Sequence, residues 1–361
     1  MNRFLSSGST VAAGLLVGLL TLAACIEGPA GPAGAAGAAG AAGPAGPAGS
    51  DANQTCTECH VSDTRIRGKQ IEWAASGHAA NGNYRRGSSA SCAGCHSHEG
   101  FIDRMTSGDE LSSTGFEKPT PQNCRTCHNI HETYTDADWD RRGSTSHDLW
   151  LTGTTVDFGM NGNLCSRCHQ PRTSYDIPVV GGGPVTFTSS RFGPHYGAQG
   201  STLAGDGGYE VAGTKSYSGA MAHGDKDTNT RGCATCHMAA TYAAQYGGHT
   251  LNMTRESNGV DVPNTDGCEE CHSSAGDWDD FDNGGVQTTV EGLLAQLEAK
   301  LITAGIVTAE DTHHAVTGDY SEAVAGAYWN FLTASTGDQS LGVHNPAYVI
   351  ALLTNAYEAL P

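Results

Sequence analysis

Six copies of Cys-x-x-Cys-His punctuate the chain: Cys56 and Cys59 with His60, Cys92 and Cys95 with His96, Cys124 and Cys127 with His128, Cys165 and Cys168 with His169, Cys233 and Cys236 with His237, and Cys268 and Cys271 with His272. They take every one of the 13 cysteines except Cys25. Two thiols separated by two residues can each add across a vinyl group of one porphyrin, while the adjacent imidazole swings under the ring to bind iron. One motif therefore fixes one haem c, and the chain is expected to carry six. Zinc knuckles and disulfides also use paired cysteines, but zinc needs four ligands in no fixed CxxCH order and a disulfide needs no histidine. With 16% charged residues and few large aliphatics, the porphyrins should fill much of the interior of one compact domain.

The lone Cys25 belongs to a different signal. Asn2 and Arg3 open a short polar region, Val11 to Leu22 form an apolar core, and Leu22-Ala23-Ala24-Cys25 reads as a lipoprotein cleavage box. The core is too short to span a membrane. Residues 1–24 are thus expected to be a signal peptide and Cys25 the lipid-modified first residue of the exported chain. Ile26 follows where some bacteria use aspartate for inner-membrane retention, which leans the anchor toward the outer membrane, on its periplasmic or cell-surface face. Glycine then recurs at every third position from Gly28 to Gly49, so residues 25–50 resemble collagen in period but are short and lose proline in the middle. An extended tether of about 65 Å, at roughly 3.1 Å per residue, is the simpler expectation.

Residues 51–276 form the expected haem region, rich in Gly, Ser, Thr and Asn, with loops at Gly181–Pro184 and Gly205–Gly208. Residues 277–361 read as helices. Val286, Val290, Leu293, Leu294, Leu297 and Leu301 recur at helical spacing until Gly305; Asp319 and Glu322 suggest a capping box ahead of Val324, Ala327, Tyr328 and Phe331; and Asn345-Pro346 should start a third helix through Val349, Leu352, Leu353 and Ala356. The fold class expected is mainly α with much irregular loop. The net charge of -19 repels nucleic acid and favours cationic or neutral partners.

Each iron has a sixth position, and ten histidines lie outside the motifs: His78, His98, His131, His147, His195, His223, His249, His313, His314 and His344. His344 sits just before the Asn345-Pro346 helix start and is held by a rigid element. His131 follows its own motif too closely to reach the far face of the same haem, so it should serve a neighbour. His78, His195 and His249 lie near glycine, where backbone can approach a flat ring. His223, shortly before Cys233, completes six expected distal ligands; His98 and His147 are reserves, and His313 and His314 fall between helices.

The phrases WAASGHA (73–79), CHNIHETY (127–134), CHQPR (168–172), GPHYGAQ (193–199), CHM (236–238) with GGHTLNM (247–253), and GVHNPAYVIALLTNAYEAL (342–360) resemble multihaem cytochromes of metal-reducing and related bacteria. That group is distantly similar to pentahaem nitrite reductase and the octahaem enzymes. The resemblance covers most of the chain after the tether and implies a multihaem cytochrome c fold in which His78, His131, His195, His249 and His344 are distal ligands. It also implies an outer-membrane cytochrome facing the cell exterior, whose partners are other redox proteins or extracellular electron acceptors.

One further motif is weaker. Asp280, Asp282 and Glu291 occupy positions 1, 3 and 12 of an EF-hand-like loop with Gly285 at position 6, which would hold calcium, although Gly284 and Gln287 depart from the pattern. A solvated acidic turn is the alternative.

Three functions compete. The first is electron transfer through closely packed six-coordinate haems. The second is reduction of nitrite, hydroxylamine or a similar small molecule at one open iron. Pentahaem nitrite reductases use CxxCK at that haem, whereas all six motifs here end in histidine. The third is a conducting filament of stacked subunits, against which the lipid anchor argues.

Overall fold

The structure is a computed structural model that describes residues 64–242, 244–272 and 280–361. The signal peptide, Cys25, the glycine-triplet tether and the whole of the first motif, Cys56, Cys59 and His60, lie outside the described residues. Chain contacts separate Met1–Ser50 from one unit spanning Asp51–Pro361, so the C-terminal helices belong with the motif-bearing region.

In the motif region short helices alternate with long irregular connections. They are α1 Thr64–Ala74, α2 Gly77–Ala80, α3 Ala90–His96, α4 His98–Ser107, α5 Cys124–Cys127, α6 Gly159–Ser166, α7 Gln199–Ala204, α8 Ala234–His237 and α9 Asp266–His272. Local capping explains their brevity. Ser97 ends α3 and begins α4, accepting from the Gly100 amide at 3.2 Å, and Gly108, at φ 80°, closes α4 in the left-handed conformation. Asn123 and Thr126 form a reciprocal capping box around the third motif. Strand pairing is confined to antiparallel ladders: β1 His147–Asp148 with β2 Thr155–Val156, β3 Val185–Phe187 with β6 Gly318–Tyr320, and β4 Thr254–Ser257 with β5 Val260–Pro263.

The C-terminal part carries longer helices: α10 Val286–Thr303, α11 Glu322–Leu332 and α12 Pro346–Ala359, which pack on one another. Val290, Leu297 and Leu301 bury one stripe of α10, and Gly305, at φ 74°, follows its end. Asn345 caps α12 with its side chain on the Tyr348 amide, and Pro346 occupies the first turn. The second helix start differs from expectation. Ser321, not Asp319, caps α11, accepting from the Val324 amide at 3.3 Å. Asp319 is committed to β6, where its carboxylate accepts from Thr186 Oγ1 at 2.6 Å, and Glu322 accepts from the Tyr209 hydroxyl and the Gly181 amide.

The interior also contains an apolar protein core. Phe187, Phe192, Tyr328, Trp329, Phe331, Leu353 and their neighbours form a continuous apolar cluster around the C-terminal helices, while the motif region holds a small one of Leu149, Val156, Phe158 and Leu203. The C-terminal segment is therefore a protein-cored buttress beside a region poor in apolar side chains. Among the described residues no helix is long and apolar enough to cross a membrane.

After α11 the chain does not unwind at once. Thr333–Asp338 forms a turn of π-helix, an arrangement found mostly at functional positions. The Gly337 carbonyl receives the amides of Gly197 and Ala198 at 3.1 and 3.0 Å, which ties this turn to the entry of α7.

Candidate functional site

Each described motif places its histidine at or just beyond a helical turn, where residues three apart share a face and the two thiols can point the same way. The motif histidines do not stand alone. His96 faces His195 with ring centroids 6.2 Å apart, His169 faces His78 at 5.9 Å, His237 faces His344 at 6.3 Å and His272 faces His223 at 6.1 Å. His128 and His249 are electrostatic neighbours. Every such pair joins one motif histidine to one outside the motifs, from far apart in the chain.

These separations are informative. A metal–nitrogen bond runs about 2 Å and an imidazole nitrogen lies about 1.1 Å from its ring centre, so two imidazoles on opposite faces of one metal have centres about 6 Å apart. Direct ring stacking would bring them closer. Among the described residues no three or more His, Cys, Asp or Glu side chains gather with metal-binding geometry.

The protonation states favour ligation. Burial pulls His78 and His195 down to about 4, aided at His78 by His169 and at His195 by Arg172, His96 and Arg86. Burial also lowers His96, His128, His169, His237 and His249. Neutral imidazoles with free lone pairs are the form a metal needs. His344 behaves differently: burial lowers it, but the Asp338 carboxylate overrides this and raises it.

The ring orientations are set by outer contacts. His128 Nδ1 bonds the Trp139 carbonyl at 2.6 Å, His223 Nδ1 the Val343 carbonyl at 2.7 Å, and His237 Nδ1 the Leu251 carbonyl at 3.2 Å. His169 Nδ1 lies 3.3 Å from Gln199 Oε1, whose Nε2 in turn donates to the carbonyls of Gly337 and Asp338. His344 Nδ1 bonds Asp338 Oδ1 at 2.6 Å. These partners fix which nitrogen faces the inter-ring gap. Sequence reasoning missed all of them, because backbone carbonyls carry no residue signature and Gln199 and Asp338 lie 30 and 6 residues from the rings they hold, outside any motif.

The motif cysteines make contacts between motifs. Cys95 lies against Cys168, Cys165 against Cys233, and Cys236 against Cys268, while Cys127 acts electrostatically on Cys165 and Cys168. The second, fourth, fifth and sixth motifs thus touch in series, with the third beside the fourth. Cys271, the second thiol of the sixth motif, is exposed and adds a smaller electrostatic push on Cys236. All ten described motif thiols, Cys271 included, are unpaired, which leaves them available for thioether bonds and departs from the disulfide alternative. Arg104, only 2% exposed, wedges into the first of these junctions. Its guanidinium reaches Cys95 Sγ at 3.2 Å and the Arg167 carbonyl at 3.0 Å, and lies over the Trp150 ring at 4.6 Å. Arg141 and Arg172 each bury an Nε with no partner, near His128 and near the His96–His195 pair respectively. Unpaired buried guanidinium donors suit the propionates of a porphyrin. The gap widths, neutral imidazoles, clustered thiols and orphaned arginine donors all fit haem c.

The remaining expected residues fall as follows. Cys56, Cys59 and His60 lie outside the described residues, so the first motif has no geometry to set beside the other five. His131, at φ 70°, sits in a loop whose amides at His131 and Thr133 converge on Asp138 at 2.8 and 2.7 Å. Of the reserves, His98 bonds Thr126 Oγ1 at 2.9 Å and His147 lies 3.4 Å from Ser166 Oγ; neither makes a ring contact with a described motif histidine. His313 packs on Phe331 and His314 pairs with Asp311. Asp282 accepts from the amide and hydroxyl of Thr288 and so serves the start of α10. Asp280, Asp282 and Glu291 are not gathered into a cation site among the described residues.

Comparison with protein-family models, curated proteins and solved structures returns no match for this chain.

Proposed function

We propose that this chain is a multihaem c-type cytochrome that carries electrons, with six haems attached through its CxxCH motifs and held mostly between paired histidines. The observation that carries the reading is the set of four ring pairs 5.9 to 6.3 Å apart, each joining a motif histidine to a distant non-motif histidine. Haem c bound there supplies one-electron chemistry, and two imidazoles per iron leave no open position for substrate. His78, His195, His223, His249 and His344 are the distal ligands of the fourth, second, sixth, third and fifth motifs. His131 is assigned to the first motif by elimination, as the remaining nominee for the remaining motif. The chain's contribution is to present paired imidazoles, orient their rings through outer contacts and hold neighbouring motifs in contact. The lipobox at Cys25 and the tether support work at the outer membrane or cell surface, delivering electrons to redox proteins or extracellular acceptors.

The test is mass spectrometry and low-temperature EPR on the purified holoprotein. Six covalent haems, all low-spin, are expected. Replacing His78, His131, His195, His223, His249 or His344 singly with Ala should convert one haem to high spin, whereas His98→Ala and His147→Ala should convert none. A high-spin ferric haem in the unsubstituted chain would instead favour a reductase with an open iron, and fewer than six covalent haems would defeat the motif reading.

A further inference from the structure

The outer contacts of the paired histidines differ in charge. Those of His128, His223 and His237 are backbone carbonyls, and that of His169 is the amide oxygen of Gln199. His344 alone among these has a carboxylate at hydrogen-bond distance, Asp338 Oδ1 at 2.6 Å. Glu72 approaches His249 Nδ1 only to 3.6 Å, beyond a hydrogen bond. Asp338 is 1% exposed on its side chain, so water does little to screen it. Its other oxygen receives the amide of Ser340 at 3.3 Å and the Ser340 hydroxyl. The pair His96–His195 has the opposite surroundings, with Arg86 and Arg172 acting on both rings.

We propose that Asp338 is a positioning and potential-setting residue that makes the His237–His344 site more reducing than the His96–His195 site. This deepens the electron-carrier reading and rests on it. A carboxylate bonded to Nδ1–H draws that proton toward itself and makes the imidazole a stronger electron donor through its other nitrogen. A buried negative charge also favours the ferric over the ferrous state, because the ferric centre carries one more positive charge. Both effects act in the same direction. The arginines beside His96 and His195 act in the other, so the His237–His344 site lies below the His96–His195 site in potential. Because their motifs both adjoin the fourth, Cys95 on Cys168 and Cys233 on Cys165, the fourth motif stands between them.

The test is a spectroelectrochemical titration of the full-length holoprotein. Asp338→Asn keeps the shape and an acceptor oxygen but removes the charge. It should raise one of the six midpoints, shifting the ferric/ferrous ratio there by roughly tenfold or more, which is about 59 mV for a one-electron couple. Asp338→Glu should restore much of the shift. Ser340→Ala removes a donor that drains charge from Asp338 and should move the same midpoint the opposite way, a readout that stands even where Asp338→Asn loses its haem. Glu72→Gln should leave that midpoint in place. With six haems confirmed by mass, midpoints that all stay in place in Asp338→Asn or Ser340→Ala overturn the assignment of Asp338. Absence of covalent haem from the unsubstituted chain would be the separate failure of the cytochrome reading.

Discussion

Asn330 is fully buried in α11 and acts as a two-sided clamp. Its Oδ1 accepts from the Tyr209 amide at 2.7 Å, and its Nδ2 donates to the Tyr209 carbonyl at 2.8 Å and the Leu352 carbonyl at 3.2 Å. The first two contacts hold the loop after α7 as a strand partner would, and the third ties α11 to α12. Replacing Asn330 with Ala leaves the Tyr209 amide buried without a partner, while the Tyr209 carbonyl keeps the Val211 amide at 3.2 Å and the Leu352 carbonyl keeps its helical bond. At about 1–3 kcal/mol for an orphaned buried group, that is the expected loss. Domains are stable by about 5–15 kcal/mol, so this is a sizeable fraction. In urea, with a slope of about 3 kcal/mol/M, the midpoint of helix loss by circular dichroism should fall by roughly 0.3–1 M. Since α11 runs directly into the π-turn bearing Asp338, the first haem to turn high-spin in urea below that midpoint should be the one on His344. A loss below about 1 kcal/mol would show that water or a backbone shift satisfies Tyr209, and a first failure at His195 would refute the structural link.

A Cβ at Gly267 would lie 2.5 Å from the Thr235 carbonyl oxygen and 2.8 Å from Cys236 Cα, so Gly267→Ala must push α9 off α8 and should destabilise by about 1–3 kcal/mol in thermal unfolding; Gly292→Ala, with nothing within 4 Å in mid-α10, should gain about 0.5–1 kcal/mol. Equal behaviour of the two would refute the close approach of the fifth and sixth motifs. Cys25→Ala should release the protein from membranes on fractionation, and continued membrane association would defeat the lipid-anchor expectation.

What is legible in the sequence is what local chemistry dictates. Thioether formation imposes a fixed spacing, so the motifs declare themselves without any fold. Helix starts are likewise local, and Asn345-Pro346 marks α12 correctly. At His249 the adjoining Gly247 and Gly248 adopt φ 68° and 51°, and a Cβ on Gly247 would meet the Ala240 carbonyl at 2.3 Å, so the glycine serves a close approach of backbone to backbone. The pairings are not visible there, because which imidazole faces which depends on loops that bring His78 to His169 and His344 to His237. Asp319 misleads for the same reason: its spacing to Glu322 suits a cap, but pairing with Thr186 in a distant strand decides its conformation. The apolar C-terminal core is underestimated because average composition conceals its concentration in one segment.

The contacts of residues 333–344 explain why that core stands beside the motifs. The Gly337 and Asp338 carbonyls orient Gln199, and through it His169; the Asp338 side chain holds His344; and the Val343 carbonyl holds His223. One short stretch between α11 and α12 thereby sets the fourth motif's His169 and the two rings, His344 and His223, that face the histidines of the fifth and sixth motifs. A loop in a region poor in apolar side chains could not hold three rings to within the few tenths of an ångström that metal bonds require. Suspended between two helices packed in the largest apolar cluster of the chain, it can. The C-terminal helices then act as the rigid frame of three adjoining histidine pairs although they carry no CxxCH motif, and on the proposed cytochrome reading substitutions in their buried faces should register as spectral changes at the haems of those pairs.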